Sequence, residues 1–308
     1  MKKRTLSALL IPLMLTGCTR LVPEETSVTR IYATVYPLYA LTNAIADGCD
    51  NVTVSCLEAP TAGCMRSYSL SDWDIALLES AADGVLAFGS GFEADISALE
   101  SLSETYFWLG ETLSGQELYT FEDDPDAETD DHFTGTDPFV YLSVDGTEAI
   151  TRSAASMLIT LDPDNAAVYT ENEEKLLQQI SELKESVAKE TEVCDGVRVG
   201  ILNEALVYPA QDYGMECAVF VKRESGANLY DTELENCLTD LTEANVQAVL
   251  VETQAPKELT DAIENAGIAV IRLDVMSMYT DETDYFGTLR QNAENAAAVC
   301  RGLTEETN

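Results

Sequence analysis

Histidine is almost missing from this chain: His132 is the only one in 308 residues. That absence removes a Ser-His-Asp hydrolase and an HExxH metalloprotease from consideration. No GxSxG elbow and no P-loop occurs either, so no catalytic set is present and an enzyme is not expected. The run "AFGSGFEAD" lacks the GxGxxG spacing and reads as a strand-to-helix turn. No CxxC pair exists, which excludes a zinc knuckle. Basic residues are scarce, 17 Lys and Arg against 55 Asp and Glu, and the formal net charge is −38. Such a surface repels nucleic acid and anionic lipid, and it suits cations or simple solubility outside the cell. After residue 18 no stretch is long and apolar enough to span a bilayer.

What is present begins with "MKKRTLSALLIPLMLTGC", three basic residues followed by a short apolar run. This is the pattern of a secretory signal. Its end, "LTGC", resembles a bacterial lipobox, so residues 1–18 are expected to be a lipoprotein signal peptide with Cys18 as the lipidated residue. Residues 19–30 then form a polar tether, and the membrane is reached through the lipid alone. The remaining cysteines are Cys49, Cys56, Cys64, Cys194, Cys217, Cys237 and Cys300. Seven is an odd number, so at least one stays unpaired in a monomer. Proximity in sequence nominates Cys49 with Cys56 or Cys64, and Cys217 with Cys237.

The rest alternates strand and helix patterns. "RIYATVY", "NVTVSCL" and "GVLAFG" are β-rich runs, separated by the helical spacings of "PLYALTNAIADG" and "DWDIALLESAA"; "FEADISALESL" is a further helix. A second series follows: strands "GVRVGIL", "CAVFVK", "VQAVLVE" and "IAVIRLD", with helices between and after them. Alternation of this kind predicts an α/β fold, two lobes each with a mainly parallel sheet flanked by helices. Between the series, residues 164–190 carry Leu176, Leu177, Ile180, Leu183 and Val187 at helical spacing, with Asp164 as the expected N-cap. A helix of about 27 residues reaches about 40 Å, enough to act as a spine joining two lobes. The expected boundaries are 31–163 for the N-terminal lobe, 164–192 for the spine and 193–308 for the C-terminal lobe.

In such sheets the functional residues lie at the carboxyl ends of the strands. Those ends are Asn203–Glu204, Glu252 and Asp274, and they are expected to face the loop "PTAGCMRSYSLSDWD" and the Asp137–Phe139 segment. Residues 122–137 carry eight carboxylates, among them Asp123, Asp124, Asp130 and Asp131, beside His132. With no apolar period, this stretch reads as a solvated loop.

Several segments carry a resemblance. "ATVYPLYALTNAIADG", "SYSLSDWDIALLESAADGVLAFGSGFEADISAL", "LDPDNAAVYTENEEKLLQQISEL", "NEALVYPAQDYGM" and "VLVETQAPKELTDAIENAGIAVIRLD" are similar, in this order, to the solute-binding lipoproteins of zinc and manganese ABC transporters. The similarity covers roughly residues 31–301. It implies two α/β lobes joined by a rigid helix, a metal ion held between them as cargo rather than as a resident cofactor, and permease and ATPase subunits as partners. It also implies that the acidic loop, histidine-rich in zinc-binding relatives, gathers metal.

The family's usual ligands are three histidines and one carboxylate. By resemblance these fall on Arg66, two residues before Tyr68; on Phe139, after "DP"; on Asn203, opening "NEALVYPAQDYG"; and on Asp274 in "RLD". Only Asp274 keeps a ligand of the usual kind. Phenylalanine coordinates nothing, and a guanidinium repels a divalent ion. Arg66 is therefore expected in the vacated cation position, paired with Asp274 and also with Glu252, since a buried carboxylate without its metal needs a charge partner. Three readings stay open. A zinc or manganese ion is held by substitute ligands, drawn from Asp274, Glu252, Glu204, Cys64 and Met65. A small anionic solute is held by Arg66. Or the protein binds nothing in the cleft and acts as an interaction or sensory lipoprotein.

Overall fold

A computed structural model describes residues 28–61, 63, 65, 68–89, 92–93, 99, 107–108, 120–121 and 135–306. In the N-terminal lobe β1 (Thr29–Ala33), β2 (Val52–Cys56), β3 (Gly84–Ala87) and β4 (Phe107–Trp108) form one sheet in the order β2-β1-β3-β4. All its pairings are parallel, with Ile31 opposite both Val54 and Gly84. The fully buried run of β3 is what a sheet covered on both faces requires. Gly84 lies close to α-helical side chains: a Cβ would stand 2.4 Å from Leu161 Cδ1, so a larger residue requires that side chain to shift. A short antiparallel pair, β5 (Thr120–Phe121) with β6 (Gly135–Thr136), stands apart from this sheet.

Helix α1 (Tyr36–Ile45) starts with Pro37 in its first turn and buries Leu38, Leu41 and Ile45. Helix α2 (Asp72–Ala81) opens on a capping box between Ser71 and Asp74. Helix α3 (Val144–Leu161) is capped by Ser143, whose hydroxyl accepts from the Gly146 amide at 2.9 Å. The spine is α4 (Ala166–Thr191), a helix of 26 residues that buries Tyr169, Leu176, Ile180, Leu183 and Val187. Its start corrects the expected N-cap. Pro163–Asn165 forms a 3-10 turn and Asn165 precedes the helix without a side-chain cap, so Asp164 does not cap it. The anchoring carboxylate is Asp162, which accepts from Asn165 Nδ2 and the Tyr169 hydroxyl, both at 2.7 Å.

In the C-terminal lobe, β7 (Arg198–Ile201), β8 (Glu216–Phe220), β9 (Ala248–Glu252) and β10 (Ala269–Leu273) form a second parallel sheet in the order β10-β9-β7-β8. Leu273 pairs with Glu252, which sets the carboxyl ends of β9 and β10 side by side. Helices α5 (Val207–Asp212), α6 (Asp231–Glu243) and α7 (Lys257–Asn265) connect the strands. The closing helix, α8 (Tyr285–Glu306), packs on β10 and back onto the spine. One buried apolar cluster runs through both lobes, from Ile31 and Phe139 to Val275 and Ala296. No described helix is long and apolar enough to cross a membrane.

Candidate ligand cleft

The two sheets point their carboxyl ends at a common seam. From the N-terminal lobe come the segments around Glu58–Met65 and Asp137–Leu142; from the C-terminal lobe come Asn203–Leu206, Arg223–Ser225 and Asp274–Ser277. The seam is laced by direct bonds. The Tyr141 hydroxyl donates to the Val275 carbonyl at 2.9 Å, the Thr61 amide to the Ser277 carbonyl at 2.9 Å, and the Tyr208 hydroxyl to the Asp137 carbonyl at 2.8 Å. Tyr36 stacks on Tyr279 with ring centroids 4.4 Å apart, and its hydroxyl donates to the Thr283 carbonyl.

At the centre is a cavity of about 10 Å³ lined by Met65, Phe139, Asn203, Glu204, Arg223 and Ser225, with Gly63, Ala205 and Val275. That volume holds about one water-sized species. Phe139 and Asn203, two of the positions singled out in sequence, thus share one cavity with the neighbours of the other two, Met65 and Val275. Cys64 and Arg66 lie outside the described residues, as do Cys18, Asp123, Asp124, Asp130, Asp131 and His132.

The chemistry of this wall is mostly apolar. Phe139 is buried and packs against Phe92 at 5.3 Å and Tyr141 at 6.0 Å between ring centroids. Met65 is also buried, its Sδ 3.2 Å from the Tyr141 hydroxyl. Asn203 has both ends of its amide engaged: Oδ1 accepts from the Ala205 amide at 3.0 Å, and Nδ2 donates to Glu252 at 3.1 Å. Glu204 is 2% exposed and faces the cavity.

Asp274 does something other than line the cavity. It is half-buried, and its Oδ1 accepts from the Met276 amide at 2.7 Å. That bond supports Met276 in the left-handed region, at φ 59°, a conformation a methionine adopts only under constraint. The carboxylate therefore shapes the turn that presents the Val275 carbonyl to Tyr141. Asn292 holds the same residue from behind, through paired 2.8 Å bonds to its backbone.

Glu252 is fully buried and does not line the cavity. Among the described residues its charge partner is Arg223, on the same lobe; Arg66 lies outside them. Glu252 Oε2 also accepts from Asn203 Nδ2, and Oε1 from the Gly226 amide at 2.7 Å. Arg223 donates further to the carbonyls of Leu202 (3.0 Å), Ala227 (2.7 Å) and Glu224 (3.1 Å). A guanidinium whose side chain is 1% exposed thus stands at the cavity wall. Sequence reasoning missed it because "VKRESGAN" reads as a solvated turn. The available signal was Glu252 itself, an acid closing the apolar run "AVLV".

The N-terminal lobe holds two more buried acids. Glu93 accepts from the Thr34 hydroxyl at 2.7 Å and from the amides of Phe88 and Gly89 at 2.9 and 2.8 Å. Glu58 is 6% exposed, and burial, then the nearby Glu93 charge, push its pKa up to about 8. It is protonated at neutral pH. Among the described residues no group of three or more His, Cys, Asp or Glu side chains is arranged to hold a metal ion.

The model of one protein family, zinc-uptake complex component A (periplasmic), matches residues 31–299. This chain belongs to that family. The zinc-uptake family comprises solute-binding proteins of metal-ion ABC transporters, not enzymes. Among its relatives, the high-affinity zinc uptake system protein ZnuA of Paracoccus denitrificans is 27% identical over 136 residues, 44% of this chain and 42% of that protein. The manganese-binding lipoprotein MntA of Halalkalibacterium halodurans is 26% identical over 156 residues, 50% of this chain and 51% of that protein. The alignment thus spans about half the length of either relative or less. In fold, the solute-binding protein FpvC of Pseudomonas aeruginosa, solved with Mn²⁺, superposes with a TM-score of 0.73 at 18% identity, covering 89% of this chain and 99% of that one. The periplasmic zinc-binding protein TroA of Treponema pallidum gives 0.71 at 18% identity, with the same coverage. These likenesses establish the two-lobed α/β architecture with its long middle helix.

Proposed function

We propose that this chain is the extracytoplasmic, lipid-anchored solute-binding component of an ABC transporter, working with permease and ATPase subunits, and that its cleft is no longer a tight zinc or manganese site. The observation that carries this reading is the cavity itself. Phe139 and Asn203, which by resemblance stand with Arg66 where the family has histidines, line it, and its wall carries the Arg223 guanidinium. A divalent ion there would meet a buried positive charge, an aromatic ring and an amide already engaged at both ends. One carboxylate, Glu204, and one thioether, Met65, do not make up the set that zinc or manganese requires. A cavity of about 10 Å³ also leaves no room for an organic anion while the lobes stay closed. Binding through Arg66 therefore requires the seam to open.

The test is calorimetry with Zn²⁺ and Mn²⁺ on the chelator-free protein, beside a thermal-shift screen that adds Cu⁺, Fe²⁺ and amino acids. Binding to the folded state raises the melting temperature by mass action. The natural chain is expected to show no tight zinc or manganese binding. The triple change Arg66→His, Phe139→His and Asn203→His, with Asp274 retained, is expected to create it; circular dichroism confirms that this variant folds. Tight zinc binding by the natural chain refutes the reading. A folded triple variant without gained affinity refutes the placement of the four positions.

A further inference from the structure

Two of the cysteines meet at the far end of the spine, away from the cleft. Cys194 closes the short 3-10 turn Glu192–Cys194 that follows α4, and Cys300 lies in α8. Both side chains are fully buried in the apolar cluster common to the lobes. The turn and α8 pack against each other, and the two thiols lie within hydrogen-bonding reach of one another. Beside them on the surface, Arg301 pairs with Glu190, which fastens the same two helices. The other described cysteines have different neighbours: Cys49 meets Tyr169, Cys56 meets Tyr279, and Cys217 faces the Val219 carbonyl. Cys49 precedes the five-residue strand β2 and Cys56 ends it, a span of about 16 Å that a disulfide does not cross.

We propose that Cys194 and Cys300 form a disulfide when the chain folds in an oxidising compartment. The bond closes a loop around the whole C-terminal lobe and ties the end of the spine to the last helix. Before α8 docks the two thiols are equivalent, and the exchange is opened by one of them as its thiolate, taken as Cys300. It attacks a disulfide-class oxidant, such as glutathione disulfide or an oxidised dithiol protein, and expels one thiolate. Cys194 then loses its proton to solvent and attacks the Cys300 sulfur of the mixed disulfide, expelling the second thiolate. Two protein thiols are oxidised, and one oxidant disulfide is reduced to two thiols. Burial of both sulfurs places this step during folding, before α8 docks.

The full chain is denatured, refolded in a glutathione redox buffer, alkylated under denaturing conditions without reductant, digested and mapped by mass spectrometry. The expected result is a peptide pair joined through Cys194 and Cys300. Alkylation of both residues, or linkage of either to another cysteine, overturns the proposal. A second readout is the effect of dithiothreitol on the melting temperature. In the oxidised chain it is expected to fall by roughly 5–10 °C on reduction, and in Cys300→Ala it is expected not to respond. An equal response in both proteins overturns the proposal. The mapping on the natural chain decides the matter even if Cys300→Ala does not fold.

Discussion

Arg223→Met is the most informative single change, because it removes a buried charge while keeping most of the side chain's volume. Arg223 and Glu252 have side-chain exposures of 1% and 0%. Deleting one partner of a buried ion pair costs about 3–5 kcal/mol, since the other charge stays in the interior uncompensated. The change also orphans the Leu202 and Ala227 carbonyls, which Arg223 now satisfies. Each unmet acceptor costs about 1–3 kcal/mol, toward the low end here because the adjoining cavity admits a water. The summed loss is about 5 kcal/mol, a large share of the stability of an ordinary domain. Glu252→Gln is expected to cost about 3 kcal/mol or more, because it strands the guanidinium and its single amide oxygen can accept from only one of Asn203 Nδ2 and the Gly226 amide. The double variant is expected to lose less than the sum of the two single losses, by a coupling energy of about 2 kcal/mol or more. The assay is urea unfolding followed by far-ultraviolet circular dichroism. Arg152→Ala serves as the control, since it disturbs a pair with Glu148 whose side chains are 55% and 43% exposed and which is worth at most about 0.5 kcal/mol. Losses below about 1 kcal/mol for both single variants at the buried pair, with no coupling, would refute the assignment of Arg223 as the built-in cation of the cleft.

Two further outcomes follow from the same structure. Glu58 has a folded pKa of about 8 against an ordinary 4.5, so its contribution to stability is complete below about pH 4.5 and is lost as pH rises to about 8. The melting temperature is expected to decline across that window and Glu58→Gln to flatten the decline; an unchanged pH profile in the variant contradicts the buried, protonated acid. Cys18→Ala is expected to move the protein from the membrane fraction to the soluble fraction, and unchanged membrane association rules out the lipid anchor.

The architecture was legible because its signals are local. A parallel sheet covered on both faces demands continuous apolar runs, and "GVLA" and "AVLVE" supply them. The spine announced itself through Leu176, Ile180, Leu183 and Val187, whose spacing is a property of one helix and needs no partner to be read. The spine's start was misjudged by local rules for a local reason. Asp164 is the better capping residue by propensity, but Pro163 begins a 3-10 turn, and the carboxylate that matters is Asp162, held by Asn51, Asn165 and Tyr169 together. Three of the expected site positions rest on short offsets, from "DP", "YG" and "RLD", and two of those positions, Phe139 and Asn203, line the one central cavity. The partners of the buried charges were not legible. Glu252 meets Arg223 across 29 positions and Cys194 meets Cys300 across 106, and no periodicity encodes either meeting.

On the proposed reading, the work of a ligand in holding the cleft closed falls to the chain itself. In a protein that closes on a metal, the ion supplies the charge that draws carboxylates from both lobes together. Here the charge at Glu252 is met from within one lobe, and the lobes are joined by uncharged groups: the hydroxyls of Tyr141 and Tyr208, the Thr61 amide and the stacked rings of Tyr36 and Tyr279. Asp274 helps by holding Met276 in its constrained turn so that Val275 meets Tyr141. On the proposed reading, closure reports the seam's own chemistry, and a ligand must compete with that seam rather than create it.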